Sequence, residues 1–398
     1  MNKKHLFAAI VALMGMTIFH SCKKSEQLNS SQTNDSKAPK GYVSQFKGAP
    51  RFPNEPIKVN VFDMSAIADI LDQKKQNTVD VLRDSAWASG NGKTLFVQST
   101  EMPAIFDNIR RQVYLGAIVK GEDAGNPNNF KPVFVTVAER NPITIYATFP
   151  TDSISRKVAA PSPTTDLAYI RAALKVGSGK QLSSFRYEME SFKRYEELKL
   201  SFGANISVAG LFSLNIKDST ALAGAKTRVR AEFTQENFAI NVEPPIYEPF
   251  LKDPVNKGKF GNYDPLIVSS ITYGRKGIMT LESDSSYKSV TSAIRATFSL
   301  SLPVLKEIVN NPILAINAGM SKQQLETLNN SKIVVYVIGT EGKDSIKIVQ
   351  GISGFAQIIA GGGEFSADSP GTPLYYTLNY LSDYSTFWNR FQVQVHNN

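Results

Sequence analysis

The chain has 398 residues, of which 42% are hydrophobic, and its 44 Lys and Arg against 35 Asp and Glu give a formal net charge of +9. One cysteine excludes a disulfide framework and a multi-cysteine zinc site. The three histidines are His5, His20 and His396, which leaves almost no basis for Ser-His-Asp, Cys-His or His-rich metal chemistry, so we expect neither an enzyme nor a cofactor.

Most of the excess positive charge lies near the start of the chain. Residues 1–51 hold eight Lys and Arg and two acidic residues, and the remainder is close to neutral. The body has no Lys/Arg stripe interleaved with aromatic residues, so we do not expect a nucleic-acid partner.

Residues 1–21 have the pattern of a secretory signal. Lys3 and Lys4 precede an apolar run over residues 6–19, and this run is too short to cross a bilayer, which takes about 20 residues. Cys22 follows directly, in a setting that resembles a bacterial lipoprotein cleavage site. We therefore expect Cys22 to be the acylated first residue of the mature protein; the alternative is a chance cysteine in an ordinary signal peptide.

Residues 22–50 are polar and nearly free of aliphatic side chains. This composition predicts a disordered, lipidated tether that holds a folded body, residues 51–398, away from the membrane. Acyl chains at Cys22 would make that attachment stable when more than one is present.

The body has a mixed pattern that predicts an α+β fold rich in strand. The residues predict a helix at 164–175, with Thr164 or Thr165 as its N-cap, and a short helix near 64–71. Shorter predicted strands are residues 57–62, 95–98, 113–118, 133–137, 143–149, 374–381 and 391–395.

Residues 198–216 alternate with a period of two over 19 residues, much longer than a usual strand of about 5–6. After a turn-like stretch at 217–220 the phase changes, and alternation continues to Phe233. This predicts one long amphipathic β-hairpin. The apolar residues assigned to membrane hairpin 1 are Leu198, Leu200, Phe202, Ile206, Val208, Phe212, Leu214 and Val229.

Residues 290–320 repeat this design, with turn residues at 310–312 between two alternating arms. The apolar residues assigned to membrane hairpin 2 are Val290, Ile294, Phe298, Leu300, Leu302, Leu314, Ile316 and Met320.

Both segments are long enough to supply two spanning strands, each of which needs about 9–11 residues. Unpaired backbone is too costly in lipid, so such hairpins enter a membrane only as part of a closed transmembrane β-barrel, to which many copies would contribute. One buried face produces the same alternation, so long hairpins of a soluble sandwich or of a curved sheet covered by helices remain an equal alternative. A helical soluble form of these segments is also compatible with their composition.

Several stretches, in one order along the chain, resemble the cholesterol-dependent (thiol-activated) cytolysins of the MACPF/CDC superfamily. Residues 266–282 resemble the segment around that family's Tyr-Gly-Arg signature, here Tyr273, Gly274 and Arg275. The other matching stretches are residues 113–117, 140–145, 185–196, 234–244, 322–339 and 372–381.

The resemblance implies an elongated molecule with a bent antiparallel central sheet flanked by two helical clusters. In this family each cluster can convert to a transmembrane β-hairpin, and a homo-oligomeric ring inserts the pore. Hairpins 1 and 2 fall where these clusters belong. Arg275 is expected to satisfy buried backbone or a carboxylate rather than to contact a ligand.

The resemblance also implies that the first core strand of one subunit, near residues 185–195, pairs with the fourth strand of its neighbour, near 333–338. The residues assigned to this oligomer edge are Tyr187, Glu188, Ile333, Tyr336 and Lys347, with Glu188 and Lys347 as a charge pair between subunits. Where the family has paired glycines the chain has Gly339 and Thr340, and the expected hinge residues are Gly339, Gly361 and Gly362.

Family toxins continue into a C-terminal β-sandwich with a Trp-rich loop that binds cholesterol, whereas this chain ends at Asn398 and has only two tryptophans. Cholesterol recognition is therefore not expected. The pattern is more similar to the short cytolysin-like lipoproteins of Gram-negative bacteria. This implies an exported, outer-membrane-anchored lipoprotein, facing the periplasm or the cell surface or released to a target membrane, and a longer cytolysin-like partner protein.

Two hypotheses of function follow. The first is a pore-forming toxin component that acts on a lipid membrane, and the resemblance includes the membranes of other bacteria among its targets. The second is a non-lytic surface lipoprotein that uses the same scaffold as an adhesin or partner-binding module.

Overall fold

A computed structural model describes residues 44–61, 79–104, 107–124, 130–176, 181–182, 184–191, 225–246, 248–340, 343–361 and 364–396. The predicted signal, Cys22, the helix near 64–71, Gly362 and every assigned residue of hairpin 1 except Val229 lie outside these ranges.

The described residues form strands and helices that are numbered in chain order. The strands are β1 (Ile57–Val61), β2 (Val79–Ala86), β3 (Gly92–Ser99), β4 (Met102–Pro103), β5 (Ile118–Val119), β6 (Ile143–Ala147), β7 (Ser155–Val158), β8 (Gln181–Leu182), β9 (Ser184–Ser191), β10 (Thr227–Val242), β11 (Leu266–Ser283), β12 (Lys332–Thr340), β13 (Lys343–Gln350), β14 (Glu364–Phe365), β15 (Thr372–Tyr380) and β16 (Asn389–His396). The helices are α1 (Asp107–Arg110), α2 (Pro163–Lys175), α3 (Tyr287–Phe298), α4 (Leu302–Ile308), α5 (Leu314–Asn317), α6 (Lys322–Asn329) and α7 (Gly351–Ala360), with 3-10 turns at Gly121–Asp123 and Lys257–Phe260.

The main sheet is organised around two long strands, β10 and β11, which pair with each other along most of their length. Each of them also pairs with other strands on its second side, and that partner changes part-way along the strand. Strand β11 pairs with β15 through residues 266–274 and with β12 through 276–282, while β10 pairs with β6 near its end and with β9 through 229–236. A register shift interrupts the β10–β11 pairing between Glu236 and Phe238, close to the point where β11 changes partner. The smaller sheet has the order β1-β16-β3-β2.

Two hydrophobic cores are built on these two strands. The first core lies at the β6, β15 and α2 end and contains Tyr169, Ile170 and Ile271. The second core lies at the β12 end, where α3, α6 and α7 pack, and contains Phe233 and Ile294.

Local sequence explains the helix starts. Helix α2 begins after Ser162, whose hydroxyl accepts from the Thr165 N–H at 3.2 Å, while Pro163 occupies the first helical position. The predicted cap at Thr164 or Thr165 is therefore wrong by two or three residues. Helix α6 has a second capping box, formed by Ser321 and Gln324.

Three predicted segments differ from the structure. Residues 113–117 form turns and irregular backbone, and only Ile118 of the predicted strand at 113–118 lies in a strand, β5. Residues 133–136 do not form a strand, although the Val133 N–H donates to the Ile118 carbonyl at 2.7 Å; they run as a loop, because alternation alone does not supply a neighbouring strand. The last residues of the predicted tether, 44–50, pack on the body. Phe46 is buried against the Phe260 ring, and the Gln45 amide donates to the Leu251 carbonyl, so the folded body begins before residue 51.

None of the helices in the described part of the chain is long and apolar enough to cross a bilayer.

Candidate assembly and conversion site

The two strands expected to form the oligomer edge differ in their exposure to a neighbour. Strand β9, with Tyr187 and Glu188, pairs with β10 on one side, and among the described residues it has no further strand on the other. Its outer edge is the kind of backbone edge that can add a strand from another chain.

The edge of the fourth strand, β12, is covered in this state. Ile333 pairs with Val349 and Tyr336 pairs with Ile346, so the antiparallel strand β13 occupies the edge expected to bind a neighbour. Lys347 lies on this covering strand. The structure thus places Glu188 and Lys347 at opposite edges of the β9-β10-β11-β12-β13 region, and any pairing between them requires a second subunit.

The signature residues stand where β11 passes from one core to the other. The Tyr273 ring is buried and stacks on the Phe238 ring, with centroids 5.4 Å apart. Gly274 admits no side chain, since a Cβ there would lie 2.0 Å from the Gln235 carbonyl oxygen. Gly339 has a φ of +85°, and a Cβ on it would lie 2.9 Å from the Gly274 carbonyl oxygen, so the end of β12 depends on the same narrow point.

Arg275 holds the end of helix α7. Its Nε donates to Gln235 Oε1 at 2.7 Å, and its guanidinium donates to the carbonyls of Ile358 at 2.6 Å and Ile359 at 3.1 Å. The Gln235 amide also donates to the Ile359 carbonyl, at 2.9 Å. Burial lowers the pKa of Arg275 to about 10, which leaves it charged at neutral pH. Arg275 therefore satisfies backbone carbonyls at the C-terminal end of a helix, where a positive charge is favoured. This agrees with the expectation that Arg275 bonds to buried backbone.

Helix α7 connects β13, the strand that covers the edge of β12, to the helices α4 and α6. It follows β13 directly at Gly351, which has a φ of +66°, and it packs against α4 and α6. A Cβ on Gly361, just beyond its end, would lie 3.5 Å from the Arg275 guanidinium. Strand β13 and helix α7 are thus joined without an intervening loop.

The residues assigned to hairpin 2 lie in α3, α4 and α5 and in the turns between α3 and α6, and these four helices form one helical cluster. Val290, Ile294 and Phe298 are buried on one side of α3, where the Phe298 ring lies 5.4 Å from the Phe355 ring and 6.1 Å from the Phe233 ring. Leu300, Leu302 and Leu314 are half-buried at the cluster, Ile316 lies in α5, and Met320 is buried in the turn before α6.

The model of the family described as "Thiol-activated cytolysin" matches residues 90–392. The chain belongs to the thiol-activated cytolysin family. Tetanolysin of Clostridium tetani is 27% identical over 302 residues, which are 72% of this chain and 54% of that protein. Pneumolysin of Streptococcus pneumoniae is 24% identical over 215 residues, 51% of this chain and 42% of that protein. This chain thus spans about half the length of the curated relatives it matches.

Solved structures of cytolysins share the fold. The human-specific toxin intermedilysin aligns with a TM-score of 0.58 at 18% identity, covering 87% of this chain and 72% of that one. Pneumolysin aligns with a TM-score of 0.57 at 17% identity, covering 87% and 71%. These similarities confirm the predicted α+β, cytolysin-like fold.

Three features of the assembly and conversion site were not predicted from the sequence. Val229 lies in β10 and is buried in the second core, so in this state it belongs to the core sheet. Phe233 covers Gly277 so closely that a Cβ there would lie 2.0 Å from the ring. Gln235 has no local signal for its role, because its partners Arg275 and Ile359 are 40 and 124 residues away.

Proposed function

We propose that this chain is a pore-forming component that assembles into rings and converts two segments per subunit into membrane-spanning β-hairpins. The observation that carries the proposal is the segment 290–320, which is helical here although its sequence alternates like a strand.

The spacing of the buried residues in α3 suits both forms. Val290, Ile294 and Phe298 are four residues apart, so they share one face of a helix and also one face of a strand. Ala293 and Thr297 are fully buried only because the segment is helical, and both are small enough for the water-facing side of a hairpin. Leu300 and Leu302 are half-buried here and would join the lipid-facing side.

The sheet edges support ring assembly. A neighbour's β9 could pair with β12 if β13 left it, and this exchange would keep the β12 backbone hydrogen-bonded throughout. Because β13 leads directly into α7, its departure would also loosen the helices of the cluster. Edge pairing and hairpin release would then be coupled.

We also propose that Cys22 is acylated and that the protein is an exported lipoprotein working with a longer cytolysin-like partner that recognises the target membrane. This proposal rests on the sequence of residues 1–22 and on the resemblance to the short cytolysin-like lipoproteins.

The test is a cross-link that keeps the cluster helical. The Gln324 amide donates to Ser292 Oγ at 2.8 Å, so Ser292→Cys and Gln324→Cys, joined by a short bismaleimide in a Cys22→Ser background, would tie α3 to α6. We expect the double variant to release dye from liposomes and form rings before cross-linking but to stop at rings without leakage afterwards. Ser292→Cys alone, treated in the same way, is the control.

Leakage that survives complete cross-linking would contradict conversion of this cluster. If neither form gives leakage or rings, with protease treatment and with a longer partner included, the non-lytic adhesin or binding-module hypothesis takes its place.

A further inference from the structure

The loop at residues 133–139 presents two large apolar side chains to solvent. Phe134 is 79% exposed and Val137 is 51% exposed, whereas Val133 and Val135 are partly buried against the first core. Exposed side chains of this size, three residues apart on one loop, call for an explanation because burial elsewhere would be favourable.

The loop is held in place from several directions. Its turn is closed by Glu139, whose carboxylate accepts from the N–H and the hydroxyl of Thr136, each at 2.8 Å. Lys259 Nζ lies 2.7 and 2.9 Å from the two carboxylate oxygens, and mainly this contact lowers the pKa of Glu139 to about 2. The Lys252 N–H donates to the Glu139 carbonyl at 2.9 Å. Phe134 and Val137 are therefore presented by a built turn.

Lysines lie beside these two side chains. Lys252 Nζ lies 3.4 Å from the Val137 carbonyl oxygen, and Lys259 Nζ lies 5.9 Å from the centre of the Phe134 ring. Lys131, two residues before Val133, and Lys257, two residues before Lys259, are exposed; the carboxylates on the same stretches of chain are Glu139, bound to Lys259, exposed Asp253 and Glu248, and Glu122, which lies against Gly261. Because Glu139 is bound to Lys259, the charged groups that lie against Val137 and next to Val133 are Lys252 and Lys131, which favours an anionic surface.

The chain arrives at the body beside this patch. Gln45 donates to the Leu251 carbonyl, next to Lys252, and Phe46 packs on Phe260, next to Lys259. Residues 23–43 separate this point from Cys22. A chain of that length reaches at most about 75 Å even when fully extended, so a lipid on Cys22 would keep the patch near a bilayer.

We propose that the patch of Phe134, Val137, Lys131, Lys252 and Lys257 docks on an anionic phospholipid surface, with the two apolar side chains entering the headgroup region. A projecting apolar tip with a basic rim suits a deformable lipid layer, whereas a protein partner would have to offer a matching pocket. This contact goes beyond pore formation. It would add a second attachment to a lipid anchor and hold the body against the membrane.

The experiment uses the full chain with Cys22→Ser, which removes the single cysteine and any lipid on it. Phe134→Cys in that background carries an environment-sensitive fluorophore, and Ile154→Cys, at a side chain 66% exposed in the natural chain, is the matched control. Vesicles contain phosphatidylcholine alone or with about a third phosphatidylglycerol. We expect a blue shift at position 134 on the anionic vesicles that is reversed by high salt, and none at position 154.

Sedimentation with the same vesicles tests the residues separately. Two double variants should each weaken vesicle binding at least about tenfold: Phe134→Ser with Val137→Ser, and Lys252→Glu with Lys257→Glu. The control Ile154→Ser should not weaken it. The proposal is overturned if the label at 134 stays in water, if labels at 134 and 154 respond alike, if neutral and anionic vesicles bind equally, or if the label shifts only with a protein partner. Dye leakage is measured in parallel, so loss of pore formation with docking retained, or the reverse, separates this contact from the proposed function.

Discussion

The two cores share strands β10 and β11 but differ in what holds them. In the first core, buried polar groups join distant parts of the chain: Asp166 accepts from the Leu115 N–H at 2.8 Å, and Ser269 hydrogen-bonds to Asn379. Its helix α2 has 13 residues and a complete capping box. In the second core, α4 and α5 have seven and four residues, too short to be stable without packing.

This difference indicates which part of the molecule can change. The first core joins its elements with buried polar contacts between distant parts of the chain, whereas α3 of the second core packs mainly through one apolar face that a strand could also present. A protein with one fixed and one exchangeable core can reorganise locally without unfolding globally.

The largest expected effect comes from removing the contact that holds the end of α7. Arg275→Ala leaves Gln235 Oε1 and the Ile358 carbonyl buried without their donor, and we expect a loss of about 3 kcal/mol in the free energy of unfolding. Hydrogen exchange should rise at α7 and leave α2 protected. Arg275→Lys keeps the charge but not the planar guanidinium, so its free energy of unfolding should lie between those of the natural chain and of Arg275→Ala. Uniform loss of protection in α2 and α7 would contradict a local role.

The second prediction concerns the first core and pH. Burial raises the pKa of Asp166 to about 7, against an ordinary value of 3.8. Between these values the folded protein binds the proton more tightly than the unfolded chain, so this group's contribution to stability is complete below pH 4 and is lost as pH rises toward 7. Asp166→Asn keeps an acceptor for Leu115 but does not titrate. Urea unfolding should show the natural chain losing up to about 1.4 kcal/mol per pH unit relative to the variant in this window.

Identical pH slopes for the two proteins would show that Asp166 does not titrate there. Asp264, whose pKa burial raises to about 6, is present in both chains and cancels in the difference.

The third prediction tests the close packing at Gly277. A Cβ there meets the Phe233 ring, so Gly277→Ala should cost about 1–3 kcal/mol through overpacking of the second core. Because the conflict is with one side chain, Phe233→Leu in the Gly277→Ala protein should recover part of the loss, whereas Phe233→Leu alone should destabilise. Additive losses in calorimetry would mean that the backbone, rather than the ring, resists the substitution.

Sequence predicted the parts of this fold that carry local signals. Periodicity or motifs within a single segment mark the helix at 164–175, the long strands around Tyr273 and the second helical cluster. What it could not predict depends on distant partners. The contacts of Arg275 lie 40 and 83 residues away, and no local signal shows that β13 covers the edge of β12.

The errors have the same origin. The alternation at 133–137 predicts a strand, but here only one backbone hydrogen bond to a neighbouring segment forms, and two apolar side chains remain exposed. Residues 44–50 are polar on average, and this average conceals Phe46, which packs in the first core. Composition over a window cannot show a single anchoring side chain.

The smallest expected effect is also the sharpest test of the exchangeable core, because two adjacent residues should respond in opposite ways. Thr297 is fully buried in the helical cluster and would face water in a hairpin, whereas Ala296 is half-buried now and would face lipid. Thr297→Ser removes one buried methyl group and should cost about 1 kcal/mol of stability while speeding liposome leakage. Ala296→Ser should leave stability within about 0.5 kcal/mol and slow leakage, since each subunit would carry a hydroxyl into lipid.

The opposite signs distinguish conversion from general destabilisation. If the helical cluster simply loosened on the way to the membrane, both substitutions would change leakage in proportion to their effect on stability. If the cluster stayed helical in the membrane, Thr297 would remain buried and Thr297→Ser would slow leakage. Only a change from helix to strand exchanges the surroundings of residues 296 and 297, so leakage rates of this pair, compared at equal vesicle binding, decide between the three routes.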